Sequence, residues 1–531
     1  MQKISNFLIR AISVMFFAIV VFILLASIWG FSERISSGWM KYLIIGIVVF
    51  GIAFFCIFGE ALFQKVYRIR GKLKQISISK MFVILFFFVL VSKVLIVFLL
   101  DNNANLHPDM KMYLSYATQL AEKGTITENI AYALMFPYTV VYGWFLSPLV
   151  YIFGNDTKIC TIFLSFLFAF ITILLFDIIR PYVGKNKAFL GLLIFNVLPV
   201  GLFETQLLVH ETALLFFYVL SLWVLLKAIN GKFNIFIKIL MIIISALLIS
   251  FGAMINQGGM VVIASYILLV IILFFRDRIA WKRILKLLSS VFCILICFFI
   301  VSNICDSFVH DHVQYIKGEN ERIERSVENR LPYAWIAFIG LNTDKPGAWN
   351  EEDRNTFEKY SEIEDSSEAR EYQINLVKGR LDEFLESPWI IPGHLFTKMK
   401  SLWGKVFLPF AYEQGGAVNN FILNGMHGII NKAFVLGSYL TFIMLCSVIL
   451  LSVHKKNGRR TKSICLPLIL FKMMIIGVTL ALILFEVTPK YVSHMQIIMF
   501  CIGIMCTSDF MDNSKRLYNR VFHKMQVLKA K

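Results

Sequence analysis

Charge is scarce in this sequence. Of its 531 residues only 16% are Asp, Glu, Lys or Arg, and just 34 are acidic. Soluble domains average about 25% charged residues, so a water-covered globule is excluded. Cysteine is also uninformative by its placement. Eight of the nine (Cys56, Cys160, Cys293, Cys297, Cys446, Cys465, Cys501, Cys506) lie inside apolar runs, and Cys305 sits at a loop edge. That leaves no disulfide framework and no metal-ligand spacing. Internal repeats and low-complexity tracts are absent. The first apolar run, 7–29, has no small-x-small cleavage site and a second run follows at once, so it reads as a span, not a cleaved signal.

What is present is apolar length. Hydrophobic residues make up 58% of the chain and mean hydropathy is +0.72. Runs near 7–29, 40–62, 81–100, 158–179, 187–203, 207–227, 234–251, 258–275, 284–304, 432–453, 463–485 and 491–508 are each able to cross a bilayer core of about 30 Å. A segment in lipid must satisfy its own backbone, so these are helices. The sequence predicts an all-α polytopic membrane protein of about twelve spans (11–13), both termini inside. The run 136–153 carries Pro137, Gly143 and Pro148 and is expected as a juxtamembrane or partly inserted helix.

The net charge of +18 is partitioned. Residues 305–430 hold 20 acidic and 13 basic residues, a net of −7, which leaves +25 for the rest. The basic residues crowd short loops, such as 65–74, 276–283 and 455–462, which places those loops in the cytoplasm. Topology and anionic lipid account for this charge, and nucleic acid is not an expected partner. The chain divides into two spans with a basic loop (1–80), a membrane core (81–304) with a first outer loop at 101–157, an acidic extracytoplasmic subdomain (305–430), late spans (431–508) and a basic tail (509–531).

Chemistry-bearing residues gather on the predicted outer face. After the span ending near Leu100, the stretch Leu106 to Gly124 turns amphipathic, with Met112, Leu114, Ala117, Leu120 and Ala121 at helical spacing. Pro108 and Asp109 suit a helix start, so a carboxylate is presented on an interfacial helix, or is simply a solvated cap. Glu211, beside His210, lies about one turn inside a span, where acidic groups are costly. Glu204 is nearer the turn and reads as solvated. Asp109 and Glu211 together suit general-base chemistry on an acceptor hydroxyl, or a divalent cation such as Mg or Mn if one takes part. Lys490, Tyr491 and His494, at the outer end of the last span, suit a lipid-linked phosphate. Gln257 and Asn256 suit sugar hydroxyls or helix caps. Lys398, Lys400 and Lys405 with Trp403 suit phosphate headgroups.

In order and character the chain resembles the GT-C type polytopic glycosyltransferases, nearest to the protein mannosyltransferase and aminoarabinose transferase group (glycosyltransferase family 39-like). The resemblance rests on Asp109, Tyr113, Ala117, Leu120, Ala121 and Gly124, then Phe153-Gly154, Arg180, Gly184 and Pro199, then Glu211, and late Pro489-Lys490-Tyr491. Met110 follows Asp109 where some members have a second acidic residue, and Glu211 stands where many have Asp. The resemblance implies an inverting glycosyl transfer from a polyprenyl-phosphate sugar to an envelope glycan, teichoic-type polymer, lipid or protein, outside the cytoplasmic membrane. It implies that Asp109 is the base or acceptor-orienting carboxylate, Glu211 the second acidic residue, and Tyr113 a substrate contact. Two alternatives are a transporter or flippase of lipid-linked sugars, and a polysaccharide polymerase leaning on Arg322, Arg325 and Arg330.

Overall fold

The computed structural model describes residues 2–35, 38–68, 73, 75–99, 108–206, 208–256, 258–276, 281–313, 332–347, 350–361, 363, 365–403, 421–452, 465–487 and 490–530. In chain order the helices are α1 (Gln2–Ile35), α2 (Met40–Arg68), α3 (Ile78–Leu99), α4 (Pro108–Lys123), α5 (Ile130–Met135), α6 (Pro137–Phe153), α7 (Thr157–Val183), α8 (Lys185–Val197), α9 (Pro199–Phe203) and α10 (His210–Asn230). There follow α11 (Ile235–Ile255), α12 (Gly259–Arg276), α13 (Trp281–His312), α14 (Pro332–Gly340), α15 (Glu351–Ser361) and α16 (Ser366–Glu386). The last are α17 (Ile391–Trp403), α18 (Phe421–Leu451), α19 (Leu466–Leu484), α20 (Lys490–Ser493) and α21 (Met495–Ala530). Among the described residues there is no strand, only an isolated bridge between Ile126 and Val313.

The protein is a polytopic helical membrane protein. Nine of these helices (α1, α2, α3, α7, α10, α11, α13, α19 and α21) contain stretches long and apolar enough to cross a bilayer, counted among the described residues. Shorter apolar helices lie at Pro137–Phe153, Gly259–Ile272 and Val435–Leu451. Large apolar side chains stand exposed on the periphery, Phe50 at 74%, Phe236 at 73% and Phe299 at 69%, where acyl chains would cover them.

One expected span is broken. The run 187–203 divides at Leu198, which is extended (φ −67°, ψ 147°) ahead of Pro199. The proline ring crowds the preceding residue out of the helical region. What remains, α8, is 13 residues long, or about 20 Å of rise. The chain then turns through α9 and re-enters as α10.

Two hydrophobic cores organise the packing. The larger joins α1, α3, α7, α10, α12, α18, α19 and α21. The smaller joins α4, α6, the start of α7, the residues just before α10 and the end of α13. Ser221 and Ser245 clasp α10 to α11, each hydroxyl donating to the other's carbonyl at 2.8 and 2.9 Å. Such bonds average roughly 0.6 kcal/mol between membrane helices. Lys398, expected at a headgroup surface, instead points inward. Its ammonium donates to the carbonyls of Gly340, Ile483 and Phe485 at 2.7, 2.6 and 2.8 Å, pinning α17 to the ends of α14 and α19. Lys405, Arg322, Arg325 and Arg330 lie outside the described residues.

Candidate active site

Pro108 opens α4 and Asp109 follows in its first turn, half-buried, so its carboxylate sits at the helix N-terminus. The buried face of α4 is Met110, Tyr113, Leu114, Tyr116 and Ala117. The expected stripe packs on this core, Leu114 and Ala117 buried and Met112, Leu120 and Ala121 half-buried, and Met110, Tyr113 and Tyr116 join it. Helices α4 and α6 approach closely at Gly143, where an added Cβ would come within 2.8 Å of Tyr116 Cβ and 3.2 Å of the Ala117 nitrogen. Gln119 Oε1 accepts from the Thr127 and Glu128 nitrogens at 2.8 and 3.0 Å, closing the loop after α4.

This packing brings α4 and α6 onto the first turn of α10. The His210 ring is caged by Tyr113 (centroids 5.2 Å apart), Tyr142 (5.9 Å) and Tyr138, which stacks on it at 5.4 Å and 9°. Tyr142 donates its hydroxyl to the Val209 carbonyl at 3.2 Å, fixing the residue that leads into α10. Glu211 is fully buried, with its Oε2 at 3.1 Å from His210 Nδ1.

On the far side, α19 ends at Leu484 and the chain passes Glu486 before α20. Tyr491 donates its hydroxyl to Glu486 Oε2 at 3.2 Å. His494 is buried, and its Nδ1 makes no hydrogen bond. Between the two sides lies a cavity of about 210 Å³. Its polar lining is Tyr138, His210, Asn256, Glu486, Tyr491 and His494, and the rest is Gly258 with apolar side chains of α12 and α19, Ile336 of α14 and Phe485.

The electrostatics unite the three acidic groups. Burial pushes the Tyr113 phenol well above its usual range, reinforced by Tyr138, Asp109 and Glu211. Burial likewise raises Tyr132, whose hydroxyl donates to Asp109. The charges of Asp109, Glu211 and Glu486 all bear on the hydroxyls of Tyr138 and Tyr491. Phenols that stay protonated are thus set among carboxylates, at a cavity with a largely apolar wall. Such a site can orient a hydroxyl and donate hydrogen bonds to an anion.

Asp109 and Glu211 therefore share Tyr113, Tyr138 and Tyr491 as neighbours. His210, Tyr491 and His494 line the cavity, while Tyr113 stands behind His210. Asn256 acts as a cap, its Oδ1 accepting from the Gly258 nitrogen at 2.6 Å. Gln257 and the side chain of Lys490 lie outside the described residues. Sequence reasoning passed over Tyr132, Tyr138, Tyr142 and Glu486. Tyr138 and Tyr142 are one turn apart after Pro137, a spacing that puts both on one face. Glu204 was expected in solvent and is 9% exposed. Burial pushes its carboxyl up, against the pull of Lys93.

A family profile described as dolichyl-phosphate-mannose-protein mannosyltransferase matches residues 137–302. No curated protein matches. Among solved structures, the chain is similar to the crystal structure of ArnT from Cupriavidus metallidurans bound to undecaprenyl phosphate, at 13% identity and a TM-score of 0.33, covering 80% of this chain and 77% of that one. The apo state of the same protein gives 13% identity and 0.33, covering 83% and 78%. The profile match opens at the first residue of α6 and ends within α13, so it takes in Tyr138, Tyr142, His210 and Glu211, whereas Asp109, Glu486, Tyr491 and His494 lie outside it.

Proposed function

We propose that the chain is a membrane glycosyltransferase. It moves a sugar from a polyprenyl-phosphate donor to a cell-envelope acceptor on the extracytoplasmic side of the membrane. The observation that carries this reading is one cavity lined by Tyr138, His210, Glu486, Tyr491 and His494, with Glu211 Oε2 at 3.1 Å from His210 Nδ1 and Asp109 set near the same tyrosines. The profile match over residues 137–302 supports it.

The acceptor oxygen attacks the anomeric carbon, and the bond from that carbon to the phosphate oxygen breaks. Its electron pair leaves with the polyprenyl phosphate, and the configuration inverts. Asp109, half-buried at a helix start, takes the acceptor proton. Glu211 holds His210 at 3.1 Å, so the ring keeps its place in the cavity wall. His494 offers a hydrogen-bond donor to the departing phosphate, and Tyr491, its hydroxyl turned to Glu486, forms the wall beside it. A divalent cation, if the reaction uses one, would be held by Asp109 and Glu211 with donor phosphate oxygens. It would supply charge neutralisation at the leaving group.

The test uses the full chain purified in detergent with radiolabelled polyprenyl-phosphate sugars and an envelope glycan fraction. Transfer of label to the glycan, inhibited by free undecaprenyl phosphate, is the expected result. Label that stays on the lipid with every donor, at full occupancy of the protein, would contradict the reading.

A further inference from the structure

Lys93 lies inside α3, six residues from its end, in a helix whose apolar window has a hydropathy of 3.0. A cation at that depth is costly unless it is paired. Its ammonium is fully buried, donates to the Gly201 carbonyl and sits 4.1 Å above the Phe168 ring. Its charge bears on Glu204, which also accepts from the Ser493 hydroxyl. Gln206 Nε2 donates back to the Lys93 carbonyl at 3.3 Å. Thr205 and Ser165 of α7 bring their hydroxyls to 2.9 Å.

These contacts have one geometric consequence. The turn between α9 and α10 leads directly to His210, in one wall of the cavity, and to Glu211 behind it. Ser493 belongs to α20, which carries Tyr491 and precedes His494, the other wall. Glu204 touches both sides. Apolar residues would pack this space at equal or lower cost, since burying ionisable groups rarely gains net stability. What the polar contacts of Lys93 and Glu204 add is a fixed register.

We propose that Lys93 and Glu204 are positioning residues: Lys93 through the Gly201 carbonyl and Glu204 through the Ser493 hydroxyl clamp the turn before α10 between α3 and α20, so that the His210 wall and the Tyr491–His494 wall of the cavity keep one mutual geometry. The pair touches no substrate. The inference concerns the cavity and holds whichever reaction occupies it.

The test is amide hydrogen exchange of the full chain in detergent, with no substrate added. Glu204→Gln puts an amide where the carboxyl accepts from the Ser493 hydroxyl. Exchange in peptides covering 205–211 and 490–495 is expected to rise at least tenfold, with the remaining helices within twofold of wild type. Ser493→Ala is expected to accelerate 490–495 alone. The double variant Lys93→Met, Glu204→Leu restores a neutral, packed interior. It is expected to melt like wild type while both peptides still exchange at least tenfold faster. Unchanged exchange at 205–211 and 490–495 in Glu204→Gln would overturn the proposal. So would a uniform rise across all helices, which would make the pair a general stabiliser. Where transfer activity is measurable, Glu204→Gln lowers kcat at least tenfold with the donor KM within twofold.

Discussion

Gly143→Ala is the most informative small change this structure offers. A methyl group at that position would lie 2.8 Å from Tyr116 Cβ and 3.2 Å from the Ala117 nitrogen. Carbon atoms settle at about 3.5–4.0 Å, so α4 and α6 must part by roughly 1 Å. Neither obstruction is the tip of a flexible side chain, and Tyr116 is tied further by its hydroxyl donating to the Asn129 carbonyl at 2.9 Å. Overpacking of this kind costs about 1–3 kcal/mol. The same displacement carries Asp109 and Tyr113 away from His210, because all three positions depend on the α4–α6 contact. Misplacing a reacting group by about 1 Å can cost on the order of 10²-fold in rate. The variant should therefore melt below wild type and transfer sugar about a hundredfold more slowly, with the donor still bound. Wild-type melting together with wild-type transfer would refute the close packing that places Asp109.

Three further predictions come from other parts of the molecule. Asp177 accepts from Arg180 Nε and Trp223 Nε1, both at 2.7 Å, and pairs with Lys227 at 2.9 Å, joining α7 to α10. Asp177→Asn should cost about 1–3 kcal/mol, read as a lowered melting temperature. Burial, with the nearby Lys398 charge, lowers His394 from 6.5 to about 4. The unfolded chain then takes up a proton first, so stability is full above about 6.5 and is lost as pH falls towards 4. The loss is on the order of 2 kcal/mol, and melting of His394→Gln between pH 4 and 7 should be flatter than wild type. Tyr491→Phe removes the hydroxyl that bonds Glu486 at 3.2 Å. One lost hydrogen bond of about 1–1.5 kcal/mol should reduce transfer roughly tenfold, measured as kcat/KM with a lipid-linked donor.

The helical membrane character was legible because apolar length in lipid permits few structures. The candidate carboxylates Asp109 and Glu211 were legible because charge beside a span is rare and costly. The remainder depends on tertiary approach, which no spacing encodes. Glu486 reads as a residue of a short turn until α19 and α20 bring it to Tyr491. Glu204 reads as solvated until the break at Pro199 folds its turn inward against Lys93. That lysine, a single cation in an apolar run, carries no local signal of its partner. Lys398 shows the same ambiguity in reverse, since a basic residue near tryptophan suits a headgroup as well as three backbone carbonyls.

The most direct test of the central claim is the envelope glycan composition of cells carrying Asp109→Asn, compared with wild type and a deletion, at matched membrane levels of the protein. The account predicts that the variant loses the same sugar as the deletion. A variant that retains that sugar while the deletion loses it would reduce Asp109 to a helix cap and contradict the transfer mechanism.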